Sequence, residues 1–210
     1  MGDVNVQLVR EFFELNLFQV LTNWQQSSRV RPGEHSGQMF VQNTNPGLTR
    51  ELPFLLQPVD VASIDRAVVE VRAWHGDRIY PSVIEANPVL SQFVSNESRA
   101  LASEVFGGVP FTTILIVSEL PASWELRSRS LQLLQSTGIG HVMEFPILLR
   151  DLLAKVDENG NYPSSQTLQT LRLLKRYKLV RNQQMEFAFA VEAPPGPLPR
   201  VDAVEESVDE

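Results

Sequence analysis

An apolar stretch in the middle of the chain constrains the fold most. Residues 67–75 read Ala-Val-Val-Glu-Val-Arg-Ala-Trp-His, a composition that predicts a strand buried within a sheet. Successive side chains of a strand point to opposite faces, so Glu70 and Arg72 are expected on the same face. An acid and a base in apolar surroundings are costly unless they pair or bind something. The stretch therefore predicts a central strand that carries a charged site.

The segments around this strand predict alternating helices and strands. An apolar stripe predicts a first helix over residues 4–15. Further strands are expected at residues 18–24, 38–43, 111–118 and 141–144, and further helices at residues 82–106, 123–136, 145–156 and 165–177. The helix over residues 82–106 is either continuous or interrupted by Pro88. An apolar segment at residues 185–191 is either a late strand or a segment that docks elsewhere. This order predicts an α/β fold, in which a mixed sheet has helices on both faces.

Charge and composition divide the chain into two regions. Residues 1–190 are expected to form a single domain with its C-terminal helices, and residues 191–210 an acidic, proline-rich, disordered tail. The formal net charge is −7, of which the tail carries −5 through six acids and one arginine, leaving −2 on the rest. A body so close to neutral lacks the broad positive field of a dedicated nucleic-acid-binding protein.

The order α-β-β-β-α-β, with Glu70-Val71-Arg72 on the third strand, resembles the PD-(D/E)XK nuclease superfamily over about residues 4–145. The resemblance implies a restriction-endonuclease-like αβββαβ core. It also implies that Glu70 is the metal-binding acid and that Arg72 stands where the family has lysine. Glu11 or Glu14 would match the acid of the family's first helix. An active member would be a Mg²⁺-dependent phosphodiesterase, a nuclease, with Glu70 as a metal ligand.

Two departures from the family pattern predict a degenerate site. The second strand is expected to place Met39 or Phe40 where the family has aspartate, and neither binds a metal. Glu34 and Asp60 flank the region, and either could reach in. Arginine stays charged and cannot act as a base, although it can clamp a phosphate. A site short of carboxylates holds Mg²⁺ poorly, so the resemblance implies an inactive nuclease-like domain without a cofactor.

Alternatives remain open for the charged residues. Glu70 and Arg72 have three possible roles: a structural ion pair, a residual phosphate contact or an active metal site. The strongest basic cluster is either a solvated helix face, a nucleic-acid-binding face or a contact for the acidic tail, and it contains Arg172, Lys175, Arg176 and Lys178. Arg127 and Arg129 are expected at the surface.

The sequence supports two function classes and an expected cellular location. The chain is a nuclease-like protein that retains nucleic-acid contact, or a structural or protein-interaction module that kept the fold and lost the chemistry. A homo-oligomer or a protein partner is compatible with either class. There is no cysteine, no apolar run of about 20 residues and no secretory signal pattern, so we expect a cytoplasmic protein without a membrane partner.

Overall fold

A five-stranded mixed sheet forms the centre of the computed structural model, which describes residues 4–22, 37–47, 50–73, 75–76 and 78–180. The strands are β1 (Phe18–Thr22), β2 (Gln38–Asn43), β3 (Arg66–Arg72), β4 (Thr112–Val117) and β5 (His141–Glu144). Their order in the sheet is the order in the sequence. The β1–β2 and β2–β3 pairs are antiparallel, whereas β3–β4 and β4–β5 are parallel. The predicted mixed-sheet α/β class is confirmed.

Helices cover both faces of this sheet. They are α1 (Val4–Leu15), α2 (Pro81–Ala86), α3 (Asn96–Val105), α4 (Trp124–Ser136), α5 (Phe145–Lys155) and α6 (Gln166–Arg176), with short 3₁₀ helices at Pro58–Ser63 and Pro88–Val94. The helical region predicted over residues 82–106 is interrupted at Pro88, as its sequence allowed, and divides into α2, a 3₁₀ helix and α3. Pro88 restricts Asn87 and cannot donate a backbone hydrogen bond, so α2 stops there. Ser95 then accepts a hydrogen bond from the Ser98 N–H and caps α3.

Two apolar cores lie on opposite faces of the sheet. The first core packs α1 and α5 against one face, with Phe12, Val69 and Leu148 among its buried members. The second core packs α2–α4 against the other face, with Val68 and Leu134 among its members. Because β3 is covered on both faces, its five central residues are all buried, which accounts for its nearly continuous apolar sequence.

The predictions for the end of the chain concern residues outside the described ranges. The segment at residues 185–191 and the tail at residues 191–210 both fall there, while Met1–Val180 forms one compact unit. In the described part, no helix has the length and apolar character needed to cross a membrane.

Candidate functional site

The predicted charged pair lies near the carboxyl end of β3. The Arg72 Nε and Glu70 Oε1 atoms are 2.8 Å apart, and the two side chains are 20% and 3% exposed. The Nε–H does not point along the line between the atoms, so the contact is an ion pair without an aligned hydrogen bond. Among the described residues, Arg72 is the only charged partner of Glu70. The two side chains share a face and meet, as the strand alternation predicted.

Burial has the larger effect on the protonation of Glu70. Loss of water raises the pKa of Glu70 from 4.5 to about 7, although the neighbouring Arg72 charge pulls in the opposite direction. One guanidinium at close range therefore does not compensate for the lost hydration. Near neutral pH, the carboxyl group exists in both protonated and ionised forms.

The sheet register identifies the neighbour of Glu70 on β2. Gln38 pairs with Glu70, while Met39 pairs with Val69 and Phe40 with Val68. Directly opposed residues of antiparallel strands share a face, so Gln38 lies beside Glu70. Of the two residues expected where the family has aspartate, Phe40 lies on the same face as Gln38 and Met39 lies on the opposite face. None of these three side chains carries a charge.

The acids proposed to complete a metal site do not do so in the described structure. Asp60 lies in the 3₁₀ helix before β3, where it pairs with Arg50 and accepts a hydrogen bond from the Gln57 N–H. Glu34 lies outside the described residues. Within the described ranges, no three acids or histidines converge as metal ligands. The donors beside Glu70, an amide and a guanidinium, do not suit Mg²⁺, which prefers carboxylate and water oxygens.

Another buried acid, Glu144, was missed by the sequence reasoning. It ends β5 and binds Arg127 of α4 through both oxygens, with Nη2–Oε2 and Nη1–Oε1 distances of 2.5 and 3.3 Å. Its Oε1 also accepts a hydrogen bond from the Leu120 N–H. Arg127 is thus half-buried in an ion pair, contrary to the surface position expected for it. The sequence signal for this buried ion pair was an acid at the end of an apolar strand.

A polar cleft of about 370 Å³ opens where β3, β4 and β5 end. It is lined by His75, Gly76, Arg78, Tyr80, Ser118, Glu119 and Pro146. Arg78 and Glu119 form an ion pair of 3.2 Å across it, and the His75 ring lies edge-on to Phe145. Ligands of α/β proteins commonly bind at the carboxyl ends of parallel strands, so the cleft is the natural candidate site. Polar residues directly after an apolar strand, as in Ser118-Glu119, were its sequence signal.

No family model, curated protein or solved structure matches the chain. The interpretation of the site therefore depends on its own geometry.

Glu11 and Glu14 lie away from Glu70. They belong to α1, which packs on the first core, whereas Glu70 shares the face of Val68 in the second core. The sheet separates them from the β3 pair. Glu11 is buried and accepts a 2.6 Å hydrogen bond from the Ser165 hydroxyl, and Glu14 pairs with Arg10 at 2.7 Å. The structure therefore does not bring the α1 acids to the site that the resemblance implies.

The basic cluster on α6 is divided between structural contacts and exposed charges. Lys175 Nζ donates to the Leu153 and Val156 carbonyl oxygens at 2.7 and 2.5 Å, at the end of α5. Arg172 Nε donates to the carbonyl oxygen of Glu158 at 3.2 Å. Arg176 and Lys178 are exposed. Nucleic-acid binding by this cluster stays a prediction.

Proposed function

We propose that the chain is a nuclease-like domain without phosphodiesterase activity that retains a contact with nucleic-acid phosphate at the carboxyl end of β3. The observation that carries the proposal is the ion pair of Arg72 with Glu70 beside a neutral Gln38. The order α-β-β-β-α-β and the mixed sheet agree with the resemblance to the PD-(D/E)XK superfamily. We also propose that the protein is cytoplasmic.

The loss of activity follows from the charges around Glu70. A nuclease site of this kind gathers carboxylates so that a metal ion can bind and activate water. Here the neighbour on β2 is an amide and the neighbour on β3 is a permanent cation. A cation at 2.8 Å competes with a metal ion for the single carboxylate. The site would therefore bind Mg²⁺ weakly and generate little hydroxide.

The retained contact follows from Arg72 and its surroundings. Its Nε lies 2.8 Å from Glu70 Oε1, and its terminal nitrogens form no hydrogen bond with the described residues. A guanidinium can bind two phosphate oxygens at once, so these nitrogens suit a phosphodiester. Arg78 lines the adjacent cleft and brings a second guanidinium to the same end of the sheet. This arrangement favours a phosphate contact over a purely structural ion pair.

The test combines cleavage and binding on the full chain. Labelled single- and double-stranded DNA and RNA are incubated with Mg²⁺ or Mn²⁺, and binding is measured by fluorescence anisotropy at 50 and 200 mM salt. We expect no cleavage, together with binding that weakens steeply as salt rises. Arg72→Ala should reduce affinity at least five-fold. Arg66→Ala is the matched control, because Arg66 begins the same strand and its loss changes the net charge equally.

Three results would contradict the proposal. Metal-dependent cleavage that Glu70→Ala abolishes would show an active nuclease. Equal losses of affinity in Arg72→Ala and Arg66→Ala would show that Arg72 makes no specific contact at the end of β3. Binding that does not respond to salt would exclude a phosphate contact.

A second candidate function, a protein-interaction module, is favoured by exposed apolar side chains. Trp124, at the start of α4, is 81% exposed, and Val59 is 71% exposed. Tryptophan is enriched at protein interfaces and often contributes much of their binding energy. Light scattering over a wide concentration range tests self-association, which Trp124→Ser should weaken. A monomer at every concentration would exclude the homo-oligomer.

A further inference from the structure

A second pocket lies between α1 and α6, on the face of the sheet opposite Glu70. Its volume is about 250 Å³, and its lining includes Glu11, Glu14, Tyr162 and Ser164. We infer that this pocket binds the alkylammonium group of a small amine or of a lysine side chain. The inference is independent of the proposed function, since it uses none of the residues at the end of β3.

The buried carboxylate of Glu11 is the central feature of this pocket. The residue is 3% exposed, although it lines the pocket wall. Its Oε1 accepts hydrogen bonds from the Gln7 amide at 2.5 Å and the Ser165 hydroxyl at 2.6 Å. Within the described residues, Oε2 accepts no hydrogen bond and no cation pairs with the group. A buried carboxylate whose charge is not balanced gains from a cationic ligand.

The charges that line the pocket would be balanced by one positive group. Arg10 also lines the pocket, but its Nε lies 2.7 Å from Glu14 Oε1, so these two charges cancel. Glu11 then leaves a formal charge of −1 on the lining. A guest with a single positive charge would neutralise it.

The walls favour an ammonium group on a short carbon chain over a metal ion. Leu15 and Leu168 contribute apolar surface, while Ser164 adds a hydroxyl acceptor. A divalent cation would find Glu14 already paired with Arg10, and the described residues bring no third metal-binding side chain to the two carboxylates. An ammonium group donates three hydrogen bonds, and its methylene stem can pack against leucine.

The experiment measures binding of defined amines to the full chain by NMR chemical-shift titration. Butylamine is compared with butanol, which has a similar chain but no charge, and 1,4-diaminobutane with Nα-acetyl-lysine amide. We expect butylamine to bind at least ten-fold more tightly than butanol. Tighter binding of the diamine would assign a free polyamine as the natural guest, and tighter binding of the lysine derivative would assign a lysine side chain.

Matched variants connect this binding to the pocket. Glu11→Gln keeps an acceptor for Gln7 and Ser165 but removes the charge, so it should lower the affinity for butylamine at least ten-fold. Glu104→Gln is the control. It removes the charge of an exposed acid on α3 and should leave the affinity for butylamine unchanged. If Glu11→Gln does not fold, Ser164→Trp decides, because its ring should fill the pocket and block binding. Equal binding of butylamine and butanol, or unchanged affinity in the folded pocket variant, would overturn the inference.

Discussion

At the scale of single residues, the cost of burying Glu70 outweighs the attraction of Arg72. Desolvation raises the pKa of Glu70 to about 7 even though a guanidinium nitrogen lies 2.8 Å away. A buried ion pair of this kind contributes little to stability and restricts which groups can lie beside it. The pair is therefore better understood as a constraint on ligands than as a source of stability.

The raised pKa predicts how stability depends on pH. A carboxyl group with a pKa of 4.5 when unfolded and about 7 when folded binds more protons in the native state between those values. Its contribution to stability is complete below pH 4.5 and is lost as pH rises through 7, a change of about 3 kcal/mol. Urea denaturation of the wild type and Glu70→Gln at pH 5 and pH 8 measures it.

The comparison depends on the slope with pH, not on absolute stability. Glutamine does not titrate and Arg72 stays charged throughout, so the variant should lack this component of the decline. Glu104→Gln, which changes an exposed acid, should keep the wild-type slope. A Glu70→Gln variant whose stability falls as steeply as that of the wild type would contradict the assigned pKa.

Sequence reasoning identified Glu70 and Arg72 but not the residue beside them. The period of two in a strand is a local property, so their shared face followed directly from the sequence. The position of Gln38 opposite Glu70 depends on register, which is set by packing across two strands. Glu144 was missed for a similar reason, because its partner Arg127 comes from a separate helix.

At the scale of secondary-structure elements, one side chain of the predicted basic cluster also stabilises a helix end. Lys175 of α6 binds two carbonyl oxygens at the end of α5. Cations are favoured there because the last carbonyls of a helix lack backbone partners. Strand positions followed well from apolar runs, and β2 and β5 occur where they were predicted. The break at Pro88 shows that a proline can divide a helical pattern into separate elements.

The contacts of Lys175 predict a difference between neighbouring basic residues. Lys175→Ala should lower the free energy of unfolding by about 1–2 kcal/mol, because two carbonyl oxygens lose a charged donor. Arg176→Ala, which removes an exposed charge one residue later, should change it by less than about 0.5 kcal/mol. Chemical denaturation with circular dichroism measures both values. Equal losses would show that the α5–α6 contact is not stabilising.

At the scale of the whole molecule, one sheet supports two cores, and two pockets lie at different places around it. β3 contributes Val69 to one core and Val68 to the other, so neither face can unfold without affecting the shared strand. The cleft at the end of β3 and the pocket beside α1 lie on different parts of this scaffold. Their ligands can therefore be tested separately, with different variants.

The shared sheet predicts a single cooperative unfolding transition for the described unit. Leu148 lies in the first core and Leu134 in the second, and both are fully buried. Leu148→Ala and Leu134→Ala should each lower the free energy of unfolding by about 2–5 kcal/mol through lost burial and a cavity. Because the sheet separates the two sites, the double variant should lose the sum of both values.

Urea denaturation followed by far-UV circular dichroism and by tryptophan fluorescence measures these losses. The two signals should give coincident transitions in the wild type and in both single variants. The exposed Val59→Ala is the control and should leave the midpoint nearly unchanged. Two separate transitions, with each variant shifting only one, would show that the faces unfold independently and that β3 does not couple them.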